Sequence, residues 1–385
     1  MLHQGINSLN VKQINRGLVL RQIALSERPS RTSITRSIGL TKMAVSNIVS
    51  ELIEQHYIAE SQTISGQKNG RNPVMLKLSD DAPLAAGIYL SRDAISGLIT
   101  DLKLGVLLEK QIKLENESAE SLEKKLVIMT GDLLSYRPGK ILGIGLSVIG
   151  PLDRKAGAVI NPRNFFGIHY FPVAVLLQKL SRLPVIIHND MKAAALAELL
   201  YGKHKCSDFI YLGLTNGVGS GIITDSRLFS EENDATGEIG HLSVDPNGPV
   251  CSCGRRGCLE LYAGIPILLK QLKQACGISD LTAEQLHSLP DTPSADAVFM
   301  RMIEKLAAAM TDFVNIIGSH TILVGHEGSY LPPKYLKLLE DEINSHIFSV
   351  KKVEVRPAHF GVRAPLLGSA CCILDALFSG SLPLL

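Results

Sequence analysis

Three thiols fall within eight residues, Cys251, Cys253 and Cys258 in "VCSCGRRGCLELY" (residues 250–262), and Glu260 follows two positions after the last. Such a cluster either cross-links a loop or holds a metal. Thiolates suit zinc, and a structural zinc usually takes four tetrahedral ligands. The nearest fourth candidate is His241, upstream in "TGEIGHLSVDPNGPVCSCGRRGC", which gives the spacing H-x9-C-x-C-x4-C. Gly254 and Gly257 would let the backbone wrap a small ion without Cβ clashes. An iron–sulfur cluster is the weaker metal option, because a fourth thiol is missing nearby. Three reduced cysteines in a surface loop are the non-metal alternative. The expected site is one structural Zn2+ per chain on His241, Cys251, Cys253 and Cys258.

The compartment bears on the cross-link. The N-terminus, "MLHQGINSLNVKQINRG", is polar and lacks the apolar stretch of a signal peptide. No run approaches the roughly 18–20 apolar residues that span a bilayer. Both features point to the cytoplasm, with no membrane partner, and disulfide frameworks are rare there. The other four of the seven cysteines, Cys206, Cys276, Cys371 and Cys372, are scattered or lie in apolar surroundings and read as core.

The elements around the cluster alternate. "ILGIGLSVIG", "PVIIHND", "DFIYLGL", "GSGIITD", "TILVGHEG" and "KKVEVRPA" read as strands, and β-type segments with a turn near residues 103–105 precede them. Helices are expected over residues 119–134 and in "FPVAVLLQKL", "MKAAALAELLYG", "PPKYLKLLEDEINSHI" and "APLLGSACCILDALF". This alternation predicts an α/β body with mixed sheets. The order βββαβ…βα occurs twice in outline, which suggests a duplicated, two-lobed body. With 385 residues, 45% hydrophobic and 20% charged, the chain has core material for two or three domains.

The N-terminal fifth differs. Residues 11–25 space Val11, Ile14, Leu18, Ile23 and Leu25 as an amphipathic helix. A short helix over 32–38, a tight turn at Gly39 and a second helix capped by Thr41, with Val45, Ile48, Val49, Leu52 and Ile53 on one face, make a helix-turn-helix. Two β-prone runs, 57–64 and 74–78, flank "SGQKNGRNP" and read as a wing with Lys68 and Arg71 at its basic tip. Residues 1–79 carry ten Lys and Arg against four Glu, a net +6, so the remainder is −4 within a total of +2. A basic head on an acidic body suggests a polyanion partner, here double-stranded operator DNA. Lys42, Met43, Ser46 and Asn47 open the recognition helix and are the expected base contacts, with Arg71 on phosphate.

The glycine-rich turn "LTNGVGSGI", then "GEIGH", then "CSCGRRGCLE", resemble the hallmarks of the ROK family (repressors, open reading frames and kinases). "GRNPVMLKL" after a helix-turn-helix is similar to its repressor branch, which includes xylose, N-acetylglucosamine and glucose-type repressors. The resemblance implies an actin-like sugar-kinase fold, two α/β lobes around a cleft with the sugar at the hinge. Domains would then run 1–79 for a winged helix-turn-helix, 80–188 with 364–385 for a first lobe, and 189–363 for a second lobe carrying the zinc loop and a dimerisation surface. It also implies sugar contacts at Asn164, Asn189, Asp190, Glu238, His241 and Glu260. Carboxylates, amides and imidazole satisfy sugar hydroxyls with directional bonds. Asp190 taken alone could instead cap the helix that follows it.

The family's kinases wrap ATP phosphates with D-x-G-G-T. The aligned "GIYLSRDAISG" puts Tyr89 for the Asp, Ser91 and Arg92 for the glycines, and Asp93 for the Thr. Bulky side chains would block the backbone N–H groups, and Asp93 would repel phosphate. Asn216 in "LTNGVGSG" and His326 in "VGHEG" depart from the other nucleotide motifs. The expected protein is therefore not an enzyme, and Asp190 binds without catalysis. It is a sugar-responsive regulator, a repressor released by a monosaccharide or sugar phosphate, working as a homodimer or dimer of dimers. The alternatives are a sugar kinase with an N-terminal appendage and a repressor relieved by a protein partner.

Overall fold

A computed structural model describes residues 8–61, 74–204, 206–230 and 235–384. Its first elements are α1 (Ser8–Leu25), α2 (Arg31–Ile38) and α3 (Lys42–Glu54). Ser30 caps α2 in a reciprocal box with Ser33, Gly39 closes it at φ 70°, and Thr41 Oγ1 accepts the Ala44 N–H at 3.2 Å to start α3. Val45, Ile48, Val49 and Leu52 are buried, while Ile53 is half-buried. The apolar face expected for α1 is rotated. Val19, Leu20 and Ile23 are buried, whereas Val11, Ile14 and Leu25 are 38–43% exposed. Strands β1 (Ile58–Ser61) and β2 (Met75–Leu78) pair antiparallel, as a wing requires. The expected wing tip, with Lys68 and Arg71, lies outside the described residues.

The chain divides into two units, Met1–His188 with Ser369–Leu385, and Asn189–Gly368. The first holds β3 (Leu84–Leu90), β4 (Ala94–Thr100), β5 (Val106–Lys113), α4 (Ala119–Leu134) and β6 (Ile141–Val148). Short strands β7 (Leu152–Asp153), β8 (Ala158–Ile160) and β9 (Tyr170–Phe171) follow, then α5 (Val173–Ser181) and β10 (Val185–Asn189). The second unit runs α6 (Asp190–Tyr201), β11 (Phe209–Leu214), β12 (Val218–Thr224) and β13 (Arg227–Leu228). It continues with α7 (Glu260–Ala263), α8 (Ile265–Cys276), α9 (Pro293–Ile317), β14 (Thr321–His326), α10 (Pro333–His346) and β15 (Glu354–Pro357). Helix α11 (Ala364–Ser379) closes the fold.

The two large sheets share one plan. Their orders are β10-β6-β3-β4-β5 and β13-β12-β11-β14-β15. In each, three strands meander and the fourth returns parallel to the first, β6 beside β3 and β14 beside β11. The duplication expected from the order of elements is thus present as one repeated strand order.

Glycines set the close packing. A Cβ on Gly213 would lie 2.1 Å from Met191 Sδ, and one on Gly221 2.4 Å from the Met191 carbonyl oxygen. The glycines of "GLTNGVGSG" therefore let α6 lie on β11 and β12. Within the second unit, Gly368 of α11 meets the Ala193 carbonyl of α6, where a Cβ would be 2.1 Å away. Within the first, Ser369 packs on Gly87 and Gly145 of β3 and β6, and the Phe378 carbonyl lies 2.4 Å from the Cβ position of Gly17 in α1. That last contact fixes which face of α1 turns inward. The stretch Gly361–Ser379 is long and apolar enough to cross a membrane by length and composition, contrary to the sequence expectation, yet 72% of it is buried in the protein.

Candidate metal and ligand site

Cys251 and Cys258 are buried and Cys253 is exposed, and none of the seven cysteines is in a disulfide. Of the other four, Cys371 and Cys372 are buried as expected, while Cys206 and Cys276 are only half-buried. The loop that carries the cluster is built by backbone pairing. Val244 N–H donates to the Gly257 carbonyl and Leu259 N–H to the Leu242 carbonyl, both at 2.9 Å, which brings Cys258 under His241. Cys251 N–H donates to the Arg255 carbonyl at 2.7 Å and folds Cys253 back. Gly257 sits at φ 61° with a Cβ position 1.7 Å from the Asp245 carbonyl oxygen, so only glycine fits. Tyr262 OH donates to Asp245 Oδ2 at 3.0 Å and ties the loop to α7. Asp245 carried no motif signal in the sequence.

The ligand atoms of His241, Cys251, Cys253 and Cys258 all lie within 4.8 Å of one another. Cys253 Sγ and Cys258 Sγ are 3.5 Å apart, and Cys251 Sγ and His241 Nδ1 3.8 Å. Bonds of about 2.0–2.3 Å to a tetrahedral ion imply edges of roughly 3.3–3.8 Å. The four residues can hold a metal. Burial, together with the Cys253 and Cys251 thiols, pushes the Cys258 thiol up to about 12. A cation among the sulfurs would reverse that balance.

Glu260 lies against this cluster. Its Oε1 accepts from Cys251 Sγ at 3.0 Å and lies 3.6 Å from His241 Nδ1. Its Oε2 faces the Gly217 turn between β11 and β12, 3.1 Å from the Cβ position there. Glu238 is exposed in "GEIGH", where Gly240 presses on β12 with a Cβ position 2.2 Å from the Val218 carbonyl. His241 follows in the short helical turn Ile239–His241. Asn189 caps α6, its Oδ1 accepting the Met191 N–H at 2.9 Å. Asp190 is the first helical residue, 7% exposed, with Oδ1 3.0 Å from the same N–H. The capping role considered for Asp190 thus belongs to Asn189.

The remaining expected residues lie in the first unit. Asn164 is exposed on the loop after β8 at φ 51°. Lys42, Met43, Ser46 and Asn47 share the face of α3 opposite its buried residues, with Met43 74% exposed. The β3–β4 turn is closed on itself: Ser91 Oγ donates to Asp93 Oδ1 at 2.6 Å and accepts from Ala94 N–H at 3.0 Å.

The ROK family pattern matches residues 85–376. The chain is 30% identical over 373 residues to the xylose repressor of Bacillus subtilis, covering 95% of this chain and 96% of that protein. It is 31% identical over 258 residues to the N-acetylmannosamine kinase of Pasteurella multocida, covering 65% of this chain and 84% of the kinase. A crystal structure described as a ROK family transcriptional regulator, homologous to the Escherichia coli MLC protein, superposes with a TM-score of 0.83 at 22% identity. That match covers 97% of this chain and 98% of the other.

Proposed function

The chain belongs to the ROK family, and on that premise we propose that it is a transcriptional repressor released from operator DNA by a sugar. The observation that carries this reading is the full-length similarity to a xylose repressor, which takes in the capped head as well as the lobes, whereas the kinase match covers 65% of the chain. In this reading residues 1–79 bind DNA through Lys42, Met43, Ser46, Asn47 and Arg71. Residues 80–188 with 364–385, and 189–363, are the two lobes. Asn164, Asn189, Asp190, Glu238, His241 and Glu260 bind sugar hydroxyls.

His241, Cys251, Cys253 and Cys258 hold a structural Zn2+, whose chemistry is to fix the loop. The chain's own residues do the recognition. Glu260 and His241 present acceptor and imidazole groups beside that loop, and the buried Asp190 offers a carboxylate at the start of α6. Self-closure of the β3–β4 turn, with Arg92 and Asp93 in place of small residues, supports binding without phosphoryl transfer. A homodimer would set two heads on half-sites about one helical turn apart. The sugar belongs to the range that includes xylose, glucose and N-acetylhexosamines.

The test is a gel-shift titration of the full chain on its upstream intergenic DNA with candidate sugars. Release by one sugar is expected, and residues 80–385 alone should not shift the DNA. Operator binding by residues 80–385 would remove the head assignment, and ADP formation from ATP and the sugar would return the kinase reading.

A further inference from the structure

Arg92 occupies a glycine position of a phosphate-wrapping turn, and the structure shows what it does there. Its Nε donates to the Arg163 carbonyl oxygen at 3.0 Å, across 71 residues of sequence. That bond fixes the plane of the guanidinium. Its Nη1 and Nη2 have no protein partner among the described residues. The main-chain N–H groups of Arg92 and Asp93 likewise donate to nothing among the described residues. The side chain is half-buried, so its charge is only partly screened.

Three further features place this group where a ligand would sit. Strands β3 and β6 are parallel neighbours, and Ile149 N–H bonds to the Leu90 carbonyl at their shared end. Arg92 stands just beyond those carboxyl ends, the edge at which open α/β sheets bind ligands. The carbonyl it grips belongs to the residue before Asn164, the exposed amide assigned to a sugar hydroxyl. Asp93, the nearby opposing charge, is engaged by the Ser91 hydroxyl at 2.6 Å. A planar fork with two donors open matches two oxygens of a phosphate monoester.

We propose that the Arg92 guanidinium binds the phosphate of a phosphorylated sugar whose hydroxyl is read by Asn164, so that the effector is a sugar phosphate. This rests on the reading of the chain as a sugar-responsive repressor and narrows it. The side chain that obstructs a nucleotide's phosphates at this turn would then itself supply the contact to a phosphate carried by the effector.

The experiment is calorimetric titration of the full chain with xylose, glucose and N-acetylglucosamine, each free and as its terminal phosphate ester, and with inorganic phosphate alone. At least one ester should bind roughly tenfold or more tightly than its free sugar, as expected for a charge-assisted bond. Arg92→Gln should collapse that ratio toward one, Arg92→Lys should keep part of it, and Asp93→Asn should raise it. Operator affinity without ligand serves as the control for folding. Equal binding of ester and free sugar overturns the proposal, as does a preserved ratio in Arg92→Gln. Inorganic phosphate binding as tightly as the ester would make this a bare anion site and overturn it too. Failure of every probe to bind also ends it, while retained operator binding leaves the repressor reading standing. Loss of operator binding in the parent chain would sink the repressor reading itself.

Discussion

Asp190 is nearly buried at the first position of α6, with one oxygen already facing the Met191 N–H. Asp190→Asn keeps the size but exchanges an acceptor for a donor, mispairing a ligand hydroxyl at a cost of about 1–3 kcal/mol. Sugar affinity should fall roughly tenfold to a hundredfold. The variant should stay on operator DNA at sugar concentrations that release the parent, which a gel-shift titration reads directly. Unaltered release would remove Asp190 from the site. In the candidate metal cluster, Cys253 is the exposed member of the four. Cys253→Ser should leave the protein without zinc by elemental analysis and lower its melting temperature, since a structural metal contributes to folding free energy. Freshly purified, reduced parent protein that carries no zinc would contradict the assignment.

Helix α3 depends on its cap and on one polar face. Asn47 is exposed on the face opposite Val45, Ile48, Val49 and Leu52. Asn47→Ala should relax base preference at one operator position by about 1–3 kcal/mol while leaving the melting temperature near that of the parent. Binding measured across single-base operator variants checks this. Helix α4 carries an acid-sensitive start. Glu117 is buried before the Ser118 cap, paired with Lys125 and accepting from the Ser121 hydroxyl and the Glu115 N–H. Its carboxyl is held down to about 2 from 4.5, chiefly by Lys125. A depressed acid contributes stability above its unfolded pKa and loses it as pH falls, here between about 4.5 and about 2. Glu117→Gln should therefore flatten the acid side of the stability profile in urea titrations. An unchanged slope would place the acid sensitivity elsewhere. Elements with a strong local signature were legible in the sequence: Thr41 caps α3 as its hydroxyl requires, and α4 runs over residues 119–134 as its periodicity predicts. The inward face of α1 was not, because it is chosen by Gly17 meeting a carbonyl more than 350 residues away. The glycines of "LTNGVGSG" read as the family's glycine-rich turn. Their packing against Met191 depends on a sheet–helix contact that spacing does not encode. Helices α8 and α9 went unread, lacking a motif to mark them. The metal donors were legible because their chemistry sits in one short loop, whereas Asp245, which locks that loop through Tyr262, has no such signature.

At the scale of the molecule, Gly17→Ala places a methyl 2.4 Å from the Phe378 carbonyl and must push α1 away from α11. Operator affinity should change while sugar affinity, measured by calorimetry, stays at the parent value. A change in both would point to general unfolding of the first unit. The reason to expect separation is that this contact lies wholly within the first unit, where α11 runs from Ser369, packed on Gly87 and Gly145, to Phe378 on Gly17. Both residues lie in one unbroken helix, and the stretch between them is a rod about 14 Å long. An uninterrupted rod has no joint in which to lose a tilt: roughly 10° at Ser369 becomes about 2 Å at Phe378. Helix α11 is therefore a lever inside the first unit, with β3 and β6 at one end and the N-terminal helix at the other.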